Sequence, residues 1–194
     1  MNLQNAPDAQ QVRFWRDPNL AFLEVRYSRY KTISFPKHTH DTLSIGVVEQ
    51  GHSSFFYRGK MNSIGPGEIA VIQPGEVHAC NPQADTGWTY RMFHIDPLWL
   101  QRVADEATTQ RRDLPNFSLP IIQNDTFFHA LTNLHSLVES PTGNLEKESY
   151  IYTTFSQLIT HYSDRDHPAP SAGEPFMIPS LLLPRLSKGR EKPF

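Results

Sequence analysis

Short apolar runs separated by glycine and proline dominate the chain between residues 20 and 95. They are rich in β-branched and aromatic residues, as in the segments TLSIGVVE and EIAVIQ. Such runs, bounded by turn residues, are typical of strands. Strands are predicted over residues 20–27, 42–49, 52–58, 60–64, 68–73 and 88–95. Many short strands at close spacing indicate a β-sandwich or a closed β-barrel.

The pattern changes to helical spacing after residue 95. Asp96-Pro97 is a favourable helix start and predicts a short helix to about residue 104. Further helices are predicted over residues 125–139 and 145–162, and a short loop joins them as an antiparallel hairpin. Their apolar stripe either packs on the barrel or contacts a second copy of the chain. We predict a homodimer through the stripe, which includes Phe127, Leu131, Leu134, Val138, Tyr152, Phe155 and Ile159.

Composition narrows the functional classes. The 194 residues carry a formal net charge of -2, which gives no electrostatic reason to expect nucleic-acid binding. No apolar run approaches the roughly 20 residues that span a bilayer, and the N-terminus does not resemble a signal peptide. Cys80 is the single cysteine. We therefore expect a cytoplasmic protein without disulfides or membrane contact.

Three histidines are candidates for one site. His38 and His40 are two residues apart and would share a strand face, and His78 follows the Pro74-Gly75 turn. If the two segments are neighbours, three imidazoles converge at the mouth of the barrel. Neutral imidazoles bind transition metals, but the expected fourth ligand, a carboxylate, is missing after His40. We predict a metal-free pocket, with a divalent transition metal on these histidines as the alternative.

The strand predicted over residues 88–95 carries Trp88, Tyr90, Met92 and His94 on one face. Two aromatic rings and a thioether would stack against a flat or sugar-like ligand. The same side chains would equally fill the interior of a small barrel. Alternation alone leaves both interpretations open.

The run FPKHTHDTLSIGVVEQGHSSFFYRGKMNSIGPGEIAVIQPGEVHACNP, followed by GWTYRMFHIDPLWL, resembles the N-terminal ligand-binding domain of AraC-type bacterial transcription regulators. The resemblance covers about residues 12–165. It implies a mainly β fold with C-terminal helices: a cupin barrel, also called a double-stranded β-helix or jelly roll, followed by an antiparallel helical hairpin. The barrel would bind a small effector and the hairpin would mediate dimerisation.

By this resemblance, Trp88, Tyr90 and Met92 line the effector cavity, with His38, His40 and His78 near its mouth. Arg13 and Trp15 lie on an N-terminal arm that would fold over the effector. The implied organisation is an arm over residues 1–16, a barrel over 17–121, a hairpin over 122–165 and a proline-rich tail over 166–194.

The chain departs from the family pattern at its C-terminus, and the resemblance does not identify the effector. The tail is too short for the two helix-turn-helix units of such regulators, so direct DNA binding by this chain is not predicted. No arginine or lysine clearly marks an anionic group, which leaves sugars and aromatic compounds as effector classes. We therefore predict a non-enzymatic small-molecule sensor without a cofactor. The alternatives are a metal-dependent cupin enzyme using His38, His40 and His78, and a barrel that binds nothing.

Overall fold

Antiparallel strands form two sheets, and helices cover one of them. The computed structural model describes residues 11–31, 33–83, 87–107 and 114–164. The runs rich in β-branched and aromatic residues are extended, since such side chains pack well on a pleated surface. The strands are β1 (Gln11–Arg16), β2 (Leu23–Tyr30), β3 (Leu43–Gln50), β4 (Ser53–Tyr57), β5 (Lys60–Ile64), β6 (Glu68–Ile72), β7 (His78–Pro82), β8 (Trp88–Ile95) and β9 (Ile121–Gln123).

The sheets have six and three strands. The large sheet has the order β1-β2-β8-β3-β6-β9, and the small sheet has the order β5-β4-β7. Neighbouring strands are antiparallel in every pair. The helices are α1 (Pro97–Ala107), α2 (Asp125–Glu139) and α3 (Asn144–Tyr162), with a 3₁₀ turn at Pro18–Leu20. This cupin-like barrel with C-terminal helices confirms the predicted fold class.

Strand alternation divides the interior into two cores. Residues on one face of the large sheet meet the small sheet and form the inner core, and residues on the other face meet the helices and form the outer core. On β8, Trp88 and Tyr90 belong to the inner core, whereas Phe93 and Ile95 belong to the outer core. The candidate site described below therefore lies between the sheets.

The helices begin where polar caps predict. Asp96 Oδ1 accepts a hydrogen bond from the Leu98 backbone N–H at 2.7 Å, at the start of α1. Asn124 caps α2 by accepting from the Phe127 backbone N–H at 2.9 Å. None of the described helices combines the length and apolar character needed to cross a membrane.

The hairpin stripe is buried within the protomer, which corrects the predicted dimer contacts. Six of its seven residues have at most 2% of their surface exposed, and the seventh packs against the same outer core. The interpretation that the hairpin packs on the barrel is the one the structure shows. Tyr152 is half-buried, and the other six side chains have almost no surface to offer a second copy: Phe127, Leu131, Leu134, Val138, Phe155 and Ile159.

The predicted domain boundaries also shift. Residues 11–16, assigned to an arm, are strand β1 at the edge of the large sheet, paired with β2 over its whole length. At the other edge, β9 pairs with β6 and extends the barrel to Gln123. Backbone pairing of β1 with β2 and of β9 with β6 places both segments in the barrel. Residues 1–10 of the predicted arm and the predicted tail over 166–194 lie outside the described residues.

Candidate functional site

The site lies between the sheets and takes side chains from the inward faces of β2 and β8. These strands are antiparallel neighbours, with Arg26 opposite Met92 and Ser28 opposite Tyr90. Because inward residues recur every second position, the same face of β8 continues from Met92 to His94. A histidine and an arginine therefore enter the site beside the predicted aromatic wall.

His38, His40 and His78 come together as predicted. The backbones of His38 and His78 form a bridge with two N–H···O hydrogen bonds of 3.0 Å each. The ring centroids of these two residues are 4.4 Å apart, and the centroid of His40 is 4.8 Å from His38 and 5.0 Å from His78. The backbone bridge is what joins the two sequence segments.

Hydrogen bonds orient two of these imidazoles. Nδ1 of His38 lies 2.8 Å from the Pro36 carbonyl oxygen, and Nδ1 of His78 lies 2.9 Å from the Glu76 carbonyl oxygen. A carbonyl only accepts, so each Nδ1 carries the hydrogen and donates. The Nε2 lone pair of each ring then remains available to a ligand or a metal.

The candidate ligand atoms of the three histidines all lie within 4.8 Å of one another. Two nitrogen ligands of a tetrahedral zinc ion, at the usual bond length, are about 3.4 Å apart. Modest rotation of the rings would close this difference. The residues therefore fit a metal in type and tautomer, although none of the described residues lining the inner cavity is a carboxylate.

His94 is a fourth histidine of the cluster; the sequence pattern placed it on the face of the aromatic wall but did not join it to the three other histidines. Its ring centroid is 5.0 Å from that of His40, and its Nδ1 lies 3.0 Å from the Ser44 hydroxyl oxygen. The alternation of β8 was the available signal, because His94 follows Trp88, Tyr90 and Met92 on the same face.

Three imidazoles of the cluster, those of His40, His78 and His94, are held in their neutral form. Burial, followed by the positive potentials of His94 and other neighbours, lowers the pKa of His40 from 6.5 to about 4. Burial and then the Arg26 guanidinium lower the pKa of His94 to about 4. Burial also lowers the pKa of His78. At neutral pH these three rings are therefore neutral donors and acceptors.

The aromatic wall is partly core and partly cavity lining. Trp88 packs on Tyr90 with ring centroids 4.3 Å apart, and both side chains are at most 4% exposed. They border an inner cavity of about 50 Å³, together with Met92. The core interpretation is therefore confirmed for Trp88 and Tyr90, which also border a small cavity, whereas contact with a ligand stays a prediction.

A much larger outer pocket of about 1070 Å³ opens at the mouth of the barrel. Phe14 of β1 and Phe22 contribute to its apolar lining. Arg26, His40 and His94 line both the outer pocket and the inner cavity. These three residues lie between the two spaces, so a ligand in the outer pocket can contact His40 and His94 of the histidine cluster.

Arg13 and Trp15 do not reach this pocket, which corrects the prediction for the arm. Arg13 lies over the Tyr27 ring at 4.8 Å and 3.9 Å from the Glu139 carboxylate of α2. Trp15 packs against the outer core, with Lys147 Nζ 4.8 Å from its ring centroid. The pairing of β1 with β2 turns odd-numbered residues towards the helices and even-numbered residues towards the pocket.

Comparison with known proteins assigns most of the chain to a family. The family model described as AraC-like ligand binding domain matches residues 21–155. An uncharacterized HTH-type transcriptional regulator, YbfI, of Bacillus subtilis (strain 168) is 29% identical over 150 residues. That alignment covers 76% of this chain and 53% of the regulator, so the chain spans about half the length of this relative.

Solved structures of cupins are weakly similar. A Cupin 2 conserved barrel domain protein from Salinispora arenicola CNS-205 has 17% identity and a TM-score of 0.41, covering 50% of this chain and 84% of that chain. A second Cupin 2 conserved barrel domain protein, from Leptotrichia buccalis, has 16% identity and a TM-score of 0.41, covering 48% of this chain and 44% of that chain.

Proposed function

The chain belongs to the AraC-like ligand-binding domain family, and we propose from this premise that its barrel senses a small-molecule effector for a transcription regulator. The observation that carries the proposal is that Arg26, His40 and His94 line both the outer pocket and the inner cavity, so the pocket reaches two members of the histidine cluster. A concave, largely apolar space with a few convergent polar groups is the usual form of a small-molecule site.

Strand β1 supplies a route from the pocket to the helices. Phe14 and Arg16 line the outer pocket from one face of the strand. On the other face, Arg13 approaches Glu139 of α2 and Trp15 contacts Lys147 of α3. An effector that contacts Phe14 would therefore favour one position of β1, and that position would change the contacts of both helices. Effector binding would then shift the population between two positions of β1 relative to the hairpin.

Homodimerisation through the hairpin is the second part of the proposal. Because the apolar stripe is buried, the dimer would use the outward faces of α2 and α3, where residues such as His129, Ser136 and Leu145 are exposed. Sedimentation equilibrium with and without effector would test it. A monomer under both conditions at high protein concentration would contradict this part and leave effector sensing intact.

The sensing proposal is tested by a thermal-shift screen of small metabolites, followed by titration of each hit. The informative variant is Phe14→Ala, because Phe14 is 58% exposed at the pocket and its removal should cost little stability. We expect Phe14→Ala to weaken binding of a hit about tenfold, since an apolar contact of that size is worth roughly 1–2 kcal/mol.

Met61→Ala is the matched control, because Met61 is 67% exposed on β5 of the small sheet. It should bind each hit with wild-type affinity. Equal weakening by both substitutions would place the binding site elsewhere. A screen in which no compound raises the melting temperature would contradict the sensing proposal.

A metal-dependent cupin enzyme is the second candidate, favoured by the free Nε2 atoms of His38 and His78 beside His40. A divalent transition metal held there would polarise an oxygen atom or activate water. The histidines would orient it, and the inner core would exclude bulk water.

Elemental analysis of protein purified without a histidine tag tests this candidate. Near-stoichiometric metal that is lost in His40→Ala and kept in His129→Ala would favour the enzyme over the sensor. A folded protein without metal, including after incubation with zinc or iron, would exclude these histidines as a metal centre.

A further inference from the structure

Arg26 is a cation placed between the sheets, at the junction of the outer pocket and the inner cavity. It lies on the inward face of β2, opposite Met92. The sequence did not mark it, because an arginine inside a strand more often faces solvent. Its position gives the inner part of the site a fixed positive charge.

Protein groups hold this guanidinium in place without neutralising it. Its Nε donates to the Ser28 hydroxyl at 2.8 Å, and one terminal nitrogen donates to the Tyr30 hydroxyl. The guanidinium carbon lies 5.4 Å from the Phe14 ring centroid and 5.7 Å from that of Tyr90. A guanidinium has five N–H donors, so most of them remain for another acceptor.

Arg26 differs from several other arginines of the chain in lacking an acidic partner. Among the described residues, no carboxylate oxygen lies within 4.0 Å of its guanidinium, whereas Arg16 pairs with Glu24 and Arg91 pairs with Glu49 at 2.6 Å. The imidazoles beside it, His40 and His94, are neutral at pH 7 and supply no counter-charge. A partly buried arginine without a carboxylate partner is a typical recognition site for an anion.

Trp88 provides a second, independent indication that the ligand brings acceptors. Its side chain is 3% exposed and lines the inner cavity, and its Nε1 has no hydrogen-bond partner among the described residues. A buried donor without a partner costs free energy that an acceptor in the cavity would restore.

The outer pocket limits what is attached to the anionic group. Phe14, Phe22 and Leu98 give it an apolar lining suited to an aryl or alkyl body. Four acidic residues, Asp17, Glu24, Asp41 and Asp96, also line this pocket, beside Arg16 and Arg26, and would repel a second negative charge. From these observations we infer that the effector is a small monocarboxylic acid, bound as its anion to Arg26 with its apolar body in the outer pocket. This inference rests on the proposed sensing function and deepens it.

Matched acids and amides test the inference on the full chain at pH 7.5. The probes are phenylacetate against phenylacetamide and hexanoate against hexanamide, measured by thermal shift and by calorimetric titration. Each amide keeps the size and body of its acid but is uncharged, with an NH2 donor group in place of one acceptor oxygen. We expect each acid to bind the wild type at least tenfold more tightly than its amide.

Two variants assign the preference to the guanidinium. Arg26→Met keeps much of the side-chain volume and should reduce the acid-to-amide ratio to within about twofold of unity. Arg29→Met is the control, since Arg29 lies on the same strand and is exposed. It should keep the wild-type ratio.

Each outcome decides the matter. Equal binding of acid and amide by the wild type would overturn the inference, and so would an acid preference that survives in Arg26→Met. If Arg26→Met does not fold, the wild-type comparison still decides. Absence of binding by both acids would likewise overturn it. If uncharged compounds from the metabolite screen then bind, the proposed sensing function stands. If no compound from that screen binds either, the inference and the proposed function are both overturned.

Discussion

His135 on α2 is a fully buried histidine whose ionisation should make folding depend on pH. Its side chain has 0% exposure, and Nη1 of Arg91 donates to its Nδ1 at 3.1 Å. Burial and then the Arg91 guanidinium lower the pKa of His135 from 6.5 to about 3. The Glu139 carboxylate, 3.8 Å from the same Nδ1, favours the charged ring, but Arg91 is closer and occupies the lone pair.

The sign of the effect follows from the two pKa values. Between pH 6.5 and about 3, His135 is protonated in the unfolded chain and neutral in the folded protein. Its contribution to the free energy of unfolding is therefore complete above pH 6.5 and is lost as the pH falls towards 3. Between pH 7.5 and 5, proton linkage gives a loss of about 2 kcal/mol from this group.

Urea unfolding at pH 7.5 and pH 5, followed by tryptophan fluorescence, measures this loss. The wild type should lose more than His135 alone contributes, because His40 and His94 also have lowered pKa values. His135→Gln should lose about 2 kcal/mol less than the wild type over the same interval. His129→Gln, on the exposed face of the same helix, should lose as much as the wild type. An undiminished loss in His135→Gln would refute the reasoning.

Three further predictions concern the fold. Leu131→Ala should lower the free energy of unfolding by about 2–5 kcal/mol, because Leu131 is fully buried; an altered oligomeric state in sedimentation velocity without lost stability would contradict this placement. Gly51→Ala should strongly lower the melting temperature, because φ is +80° and an added Cβ would lie 1.9 Å from the Gly87 carbonyl oxygen; a wild-type melting temperature would be inconsistent with that turn. Asn124→Ala should cost about 1 kcal/mol in urea unfolding by removing the cap on the Phe127 N–H, and Asn124→Ser should recover most of it; equal stability of both variants would argue against the cap.

Periodicity and turn chemistry predicted the elements that are stabilised by local signals. The helix predicted over residues 125–139 is α2, since Asn124 caps its start and a proline follows its end. The strand predicted over 88–95 is β8. Strands β1, β7 and β9 were missed because they are short or polar. The extended conformation of β7 and β9 depends on pairing with β4 and β6, which are far along the chain, whereas β1 pairs with the next strand, β2.

Some residues of the candidate site could be predicted from local sequence signals and others could not. The convergence of His38, His40 and His78 was predicted from strand parity and one turn, whereas His94 was visible on β8 and was not assigned. Arg26 could not be recognised in advance, because its significance lies in the absence of a nearby carboxylate among the described residues. That absence is a property of the folded neighbourhood.

The sequence by itself determined the alternation of apolar and polar residues, the turns and caps, and hence the presence of a barrel followed by two paired helices. Only the tertiary structure decided which face of each element met which partner. It buried the helical stripe against the large sheet, turned Arg13 and Trp15 away from the pocket and placed Arg26 inside it. The physical reason is that periodicity is local, whereas burial and charge pairing depend on strands and helices that are distant in the chain.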